Sequence, residues 1–135
     1  MAFIQWRPDF ETGIAQIDRE HKKLVGLVNE LYDAMKAGAG NQALGKVLTG
    51  LTAYTKTHFA TEEKLMSQHA YPAFLAHKAE HDKLTAQVVE LGEKFQAGNP
   101  VLTVQVANFL KEWLSKHILS TDQKYAPFLR SKGVS

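Results

Sequence analysis

Two pairs of metal-binding side chains bracket a single proline turn. His58-Phe59-Ala60-Thr61-Glu62 precedes Tyr71-Pro72, and His77-Lys78-Ala79-Glu80-His81 follows it. A spacing of four stacks both members of a pair on one face of an α-helix. The turn folds one helix back against the other. A histidine, a glutamate and two further histidines are therefore expected to meet inside a helical assembly.

The rest of the chain supplies that assembly. Helix A is expected over about 19–37, with Asp18 as its N-cap and Leu24, Leu27, Val28, Leu31 and Met35 facing inward. Gly38-Ala39-Gly40 ends it. Helix B is expected over about 41–68, capped by Asn41, with Leu44, Val47, Leu48, Leu51, Tyr54, His58, Glu62 and Leu65 on one face. Pro72 suits the first turn of helix C, which runs to about 97. Its residues Phe74, His77, His81, Leu84, Val88, Leu91 and Phe95 alternate steps of three and four, a core seam. Gly98-Asn99-Pro100 closes it, and helix D begins near 101 and carries Leu102, Val106, Phe109, Leu110, Trp113, His117 and Ile118. Long amphipathic helices on short connections predict an all-α, antiparallel up-down four-helix bundle. One domain is expected over 1–135: an ordered arm at 1–17 anchored by Trp6, a bundle over about 18–122, and a short C-terminal tail at 123–135.

Composition narrows the chemistry. Sixteen basic residues are scattered among fourteen acidic ones, with no basic run, so no nucleic-acid partner is expected. No apolar stretch approaches the roughly 20 residues that span a bilayer, and no signal peptide is visible at the start. Cysteine is absent, which fits a reducing, cytoplasmic compartment and leaves only nitrogen and oxygen to hold a metal.

Residues equally far from a turn share a height in an up-down bundle. His58 and His81 lie about twelve and eleven residues from the B–C turn, and Glu62 and His77 about eight and seven. His21 and His58 are about eighteen and nineteen from the A–B turn, and His81 and His117 about eighteen each from the C–D turn. His77 and Asp122 pair in the same way. Seven groups thus fall in one layer, drawn from all four helices. A lone histidine on an apolar seam is usually a hydrogen-bonded core residue. Five with two carboxylates, buried without a cation, would leave many polar groups unpaired. His69 falls in the B–C turn on the solvent side, and Glu63, Glu80 and Asp82 read as surface or supporting groups. His117 and Asp122, five apart, sit about 140° out of register on a regular helix, so a wide turn or local break is expected between them.

Seven ligands are too many for one zinc and too rich in nitrogen for calcium or magnesium. Two non-haem irons fit, bridged by Glu62, Asp122 and an oxo or hydroxo group. His77, His81 and His117 would serve one iron; His21 and His58 would serve the other and leave a position open.

Read as one string, His21, His58-x-x-x-Glu62, His77-x-x-x-His81 and His117-x-x-x-x-Asp122 resemble the hemerythrin signature in order and spacing. The resemblance covers nearly the whole chain, and no ligand is missing. It implies reversible O2 binding at a di-iron centre, for storage, transport or delivery, and not an enzyme. Leu24, Phe59, Trp113, Leu114 and Ile118 lie within a turn of the ligands. They read as bundle core and equally as a dry O2 pocket. Tyr125, three residues past Asp122, either supports the site or packs the tail. The expected partners are O2 and, for delivery, an oxygen-consuming enzyme; a monomer is expected. The chain ends about where the bundle ends, which favours storage or delivery over O2 sensing.

Rival readings are weaker. His77-Lys78-Ala79-Glu80-His81 matches the H-x-x-E-H string of inverted zinc peptidases, but a small bundle offers no substrate cleft. Ferritin-like oxidases need two Glu-x-x-His pairs and two further glutamates. A di-iron enzyme reducing NO or peroxide stays as the alternative.

Overall fold

The computed structural model describes residues 3–98 and 104–135. A 3-10 turn at Pro8–Phe10 precedes α1 (Ala15–Lys36), α2 (Asn41–Gln68), α3 (Phe74–Gln96) and α4 (Val104–Lys116). A π-helical turn, His117–Thr121, joins α4 to α5 (Asp122–Ser131). The last three elements follow one another without a break and make the fourth rod of a four-helix bundle. The expected start of helix D near 101, its Leu102, and the stop at Asn99-Pro100 lie outside the described residues.

Periodicity places the core. On α1, Ile17, His21, Leu24, Val28 and Leu31 alternate steps of four and three, and all are buried. On α2, Leu48, Leu51, Thr55, His58 and Glu62 do the same, and Met66 follows four residues on. α1 ends where Gly38 takes a left-handed φ of 70°, a conformation that costs a side-chain-bearing residue about 1–2 kcal/mol. The α2–α3 turn has no glycine, and Ala70 takes that conformation with φ 56°.

Several expectations are corrected. Asp18 is not the N-cap; Ile14 occupies that position. The Asp18 carboxylate reaches back from the first turn instead, accepting from the Thr12 amide at 2.8 Å, the Thr12 hydroxyl at 2.7 Å and the Gly13 amide at 3.3 Å. Asn41 is the first residue of α2, behind Gly40. Pro72 lies in the turn before α3, which starts at Phe74. Trp6 is half-buried at the rim, its indole N–H donating to Glu11 at 3.0 Å, because a wet partner suits that polar edge. Ile4 and Phe10 anchor the arm. Asn29 adds two bonds to the Ile4 backbone, at 2.7 and 2.9 Å.

The seam on α3 closes only in part. His77, His81 and Val88 are buried, but Phe74, Leu84, Leu91 and Phe95 are half-exposed. A groove lined by Val88, Leu91, Val106, Phe109 and Leu110 separates this half of α3 from α4. The expected tail is also more structured than a tail. Residues Asp122–Ser131 are helical, and Tyr125, Ala126 and Leu129 pack with Ile14, Ile17 and Met66 in a second core.

Candidate metal centre

His21 stands on α1, His58 and Glu62 on α2, and His77 and His81 on α3. His117 opens the π-turn and Asp122 follows it. None of the seven is more than 5% exposed. They form two overlapping groups, Glu62, His77, His81, His117 and Asp122 in one and His21, His58, Glu62 and Asp122 in the other. Within each group the ligand atoms all lie within 4.8 Å of one another.

The carboxylates belong to both groups. Asp122 Oδ1 lies 3.0 Å from His117 Nε2 and 3.2 Å from His77 Nε2, while Oδ2 lies 2.9 Å from His21 Nε2. Glu62 Oε1 lies 2.9 Å from His58 Nε2 and 3.5 Å from His81 Nε2. Nearness here is not pairing. Nε2 of all five histidines, Glu62 Oε1 and both Asp122 oxygens are buried without a hydrogen-bond partner among the described residues. Lone pairs that converge without bonding one another point at a common space between them. Unpaired polar atoms at this density cost several kcal/mol each unless a cation takes them up. The donor set, five imidazoles and two carboxylates, fits iron.

The π-turn makes the last two residues possible. The Asp122 amide donates to the His117 carbonyl, five residues back, which brings both side chains to one face. The wide turn expected from their spacing is present.

Three glutamates stand behind the imidazoles. Glu20 lies 2.7 Å from His58 Nδ1, Glu63 2.9 Å from His81 Nδ1, and Glu80 3.6 Å from His117 Nδ1. An acceptor within hydrogen-bond reach of Nδ1, as Glu20 is for His58 and Glu63 for His81, fixes the tautomer that leaves Nε2 free for a metal and makes that nitrogen more basic. Glu80 stands beyond that reach and accepts from the Thr121 hydroxyl at 3.0 Å, and exposed Asp82 pairs with Lys78. Glu20 escaped the sequence reading. Its signal was positional: each supporting glutamate is the chain neighbour of a candidate ligand and faces an imidazole on the next helix. The Tyr125 hydroxyl donates to Glu62 Oε2, so this residue both supports the site and packs the second core.

Charge is balanced internally. Burial pulls His58 down, but Glu62 and Glu20 outweigh it and raise its pKa to about 10. Burial likewise opposes His117, and Asp122 beside it carries its pKa well above the usual value. Burial and Asp122 push Glu62 up, yet His58 and His117 bring it down to about 2. Asp122 is held well below the carboxylate range, His117 foremost overcoming burial. Burial dominates at His81 and lowers it to about 3. Burial, then Glu62 and Asp122, hold Tyr125 well above the usual phenol value, so it remains a donor.

Leu24, Phe59, Trp113, Leu114 and Ile118 are all buried in the main core. Phe59 lies flat on His81, with ring centroids 3.8 Å apart.

The chain is similar to known proteins over nearly its whole length. The model of the hemerythrin HHE cation binding domain matches residues 12–129. A bacteriohemerythrin of Methylococcus capsulatus is 38% identical over 131 residues, covering 96% of this chain and 98% of that protein. One from Stenotrophomonas maltophilia is 36% identical over 126 residues, covering 93% and 81%. A crystal structure of wild-type hemerythrin has a TM-score of 0.88 at 37% identity, covering 95% of this chain and 98% of that one.

Proposed function

The chain belongs to the hemerythrin family, and on that premise we propose that it binds O2 reversibly at a non-haem di-iron centre. The observation that carries the reading is the pair of buried donor groups sharing Glu62 and Asp122. His77, His81 and His117 would hold one iron, His21 and His58 the other, with the two carboxylates available to both. Bound there, the iron pair supplies electrons to O2 on binding and recovers them on release.

The protein's own part is to hold, orient and exclude. Glu20 and Glu63 fix the tautomers of His58 and His81, and Tyr125 orients Glu62. The donor groups are unequal, three imidazoles against two. O2 would reach the side with fewer protein donors, beside His21 and His58. Leu24, Phe59, Trp113, Leu114 and Ile118, buried in the main core, keep water from the centre, which would slow loss of electrons to water and protons.

The reading is of a binding protein rather than an enzyme, consistent with relatives named bacteriohemerythrin. No helix among the described residues is long and apolar enough to cross a membrane. A cytoplasmic monomer that stores O2 or passes it to an oxygen-consuming enzyme completes the proposal.

Metal analysis with anaerobic and aerobic absorption spectra tests it. Two irons per chain are expected, with a visible band that rises with O2 and fades on its removal. One zinc per chain, or irreversible consumption of O2, overturns the reading.

A further inference from the structure

The turn that aims Asp122 into the centre is the least regular part of the fourth rod. It forgoes ordinary i→i−4 bonding, and Pro127, inside α5, lacks the N–H that the Gln123 carbonyl would accept. Two defects therefore bracket Asp122. Relaxation to a regular helix would restore bonds and swing Asp122 about 140° from His117. A contact from outside the rod must oppose that.

Gln123, the next residue, makes one. Its amide nitrogen Nε2 lies 3.5 Å from the carbonyl oxygen of Asp9, 3.4 Å from that of Phe10 and 3.3 Å from that of Glu11. These carbonyls need a donor. In the 3-10 turn the amides of Phe10 and Glu11 bond the carbonyls of Arg7 and Pro8, which leaves the three that follow at the open end of the turn. Three oxygens around one position accept an N–H donor and repel another acceptor.

The arm is a firm abutment. Asn29 grips the Ile4 backbone, Asp18 grips Thr12 and Gly13, and Ile4 and Phe10 are buried. Its 3-10 turn lies directly against the π-turn.

We propose that Gln123 is a positioning residue: by clasping the carbonyls of Asp9, Phe10 and Glu11, it holds the π-turn in register and keeps Asp122 turned toward the centre. The clasp joins α5 to a segment that precedes residue 12, where the family match begins. The inference rests on Asp122 being a shared ligand.

Gln123→Glu puts an acceptor of the same shape against three acceptors; Gln123→Met removes the donor alone. Both act at a half-buried surface position and spare the core. In the iron-loaded protein, Gln123→Glu is expected to lose iron to a ferrous chelator about tenfold faster than the parent, and Gln123→Met about threefold faster, with helix content by circular dichroism unchanged. In the metal-free protein, amide exchange over residues 117–122 is expected to speed by about tenfold in Gln123→Glu while α2 keeps its protection. Asp18→Asn, which loosens the arm from its other end, should shift exchange at 117–122 in the same direction by less. Iron loss and exchange both within about twofold of the parent in Gln123→Glu would overturn the clasp. A parent that takes up no iron overturns the di-iron reading instead, and exchange in the metal-free protein still decides the clasp.

Discussion

The two donor groups share carboxylates and differ in nearly everything else. The three-imidazole group draws on α3 and the π-turn, and the glutamates behind it, Glu63 and Glu80, stand partly in solvent. The two-imidazole group lies between α1 and α2, where Glu20 backs His58 and His21 Nδ1 has no partner among the described residues. A metal beside His21 and His58 would thus have one imidazole fewer than its neighbour. On the proposed reading, that inequality is what would leave one of two like metals open to a ligand.

The largest test of that contrast removes what the groups share. Glu62→Ala or Asp122→Ala should abolish the coupled iron pair, leaving at most one iron per chain by metal analysis and no O2-dependent band. Full iron content with an unchanged spectrum in either variant would show that the carboxylate does not bridge. Next, His58→Ala should strip the smaller group alone; about one iron is expected to remain, with O2 binding gone. Retained O2 binding there would assign the open position to the other ion. A finer cut compares Glu20→Gln with Glu63→Gln. Each should weaken retention of its own group's iron by about 10- to 100-fold in chelator competition. Equal loss of both irons in each variant would mean that the supports act on the centre as a whole.

The smallest expected effect starts outside both groups, at Asp18. Burial pushes Asp18 up, but its bonds from Thr12 and Gly13 outweigh that and hold its pKa below the ordinary 3.8. A carboxylate depressed in the folded state stabilises above its unfolded pKa, and that contribution is lost as pH falls through the folded value. Asp18→Asn should cost about 1–2 kcal/mol near neutrality and flatten the fall in stability below pH ~4, read from urea midpoints. An unchanged acid limb would remove Asp18 from that account.

The layer of seven was legible because it depends on local regularities. His58 and Glu62 share a face at any helix of ordinary pitch, and equal distances from short turns set equal heights. The misfit of His117 and Asp122 was legible for the same reason, since a departure from 3.6 residues per turn can be counted. What failed lay at the boundaries: Asp18 looked like a cap because its side chain does bond to backbone amides, only from one turn further in. Phe74, Leu84, Leu91 and Phe95 kept a faultless core period on α3, yet burial also requires a partner surface, and α4 stands off along a groove.

The order of residues along the chain therefore determined four amphipathic rods, the depth at which five imidazoles and two carboxylates meet, and the need for a widened turn before Asp122. Rise and rotation per residue fix all of these within or between neighbouring helices. Only the folded structure decided that Glu20 backs His58, that Tyr125 bonds Glu62, and that the arm offers three carbonyls to Gln123. Those contacts depend on how each helix is rotated and how closely it approaches its neighbour, and packing of the whole bundle sets both.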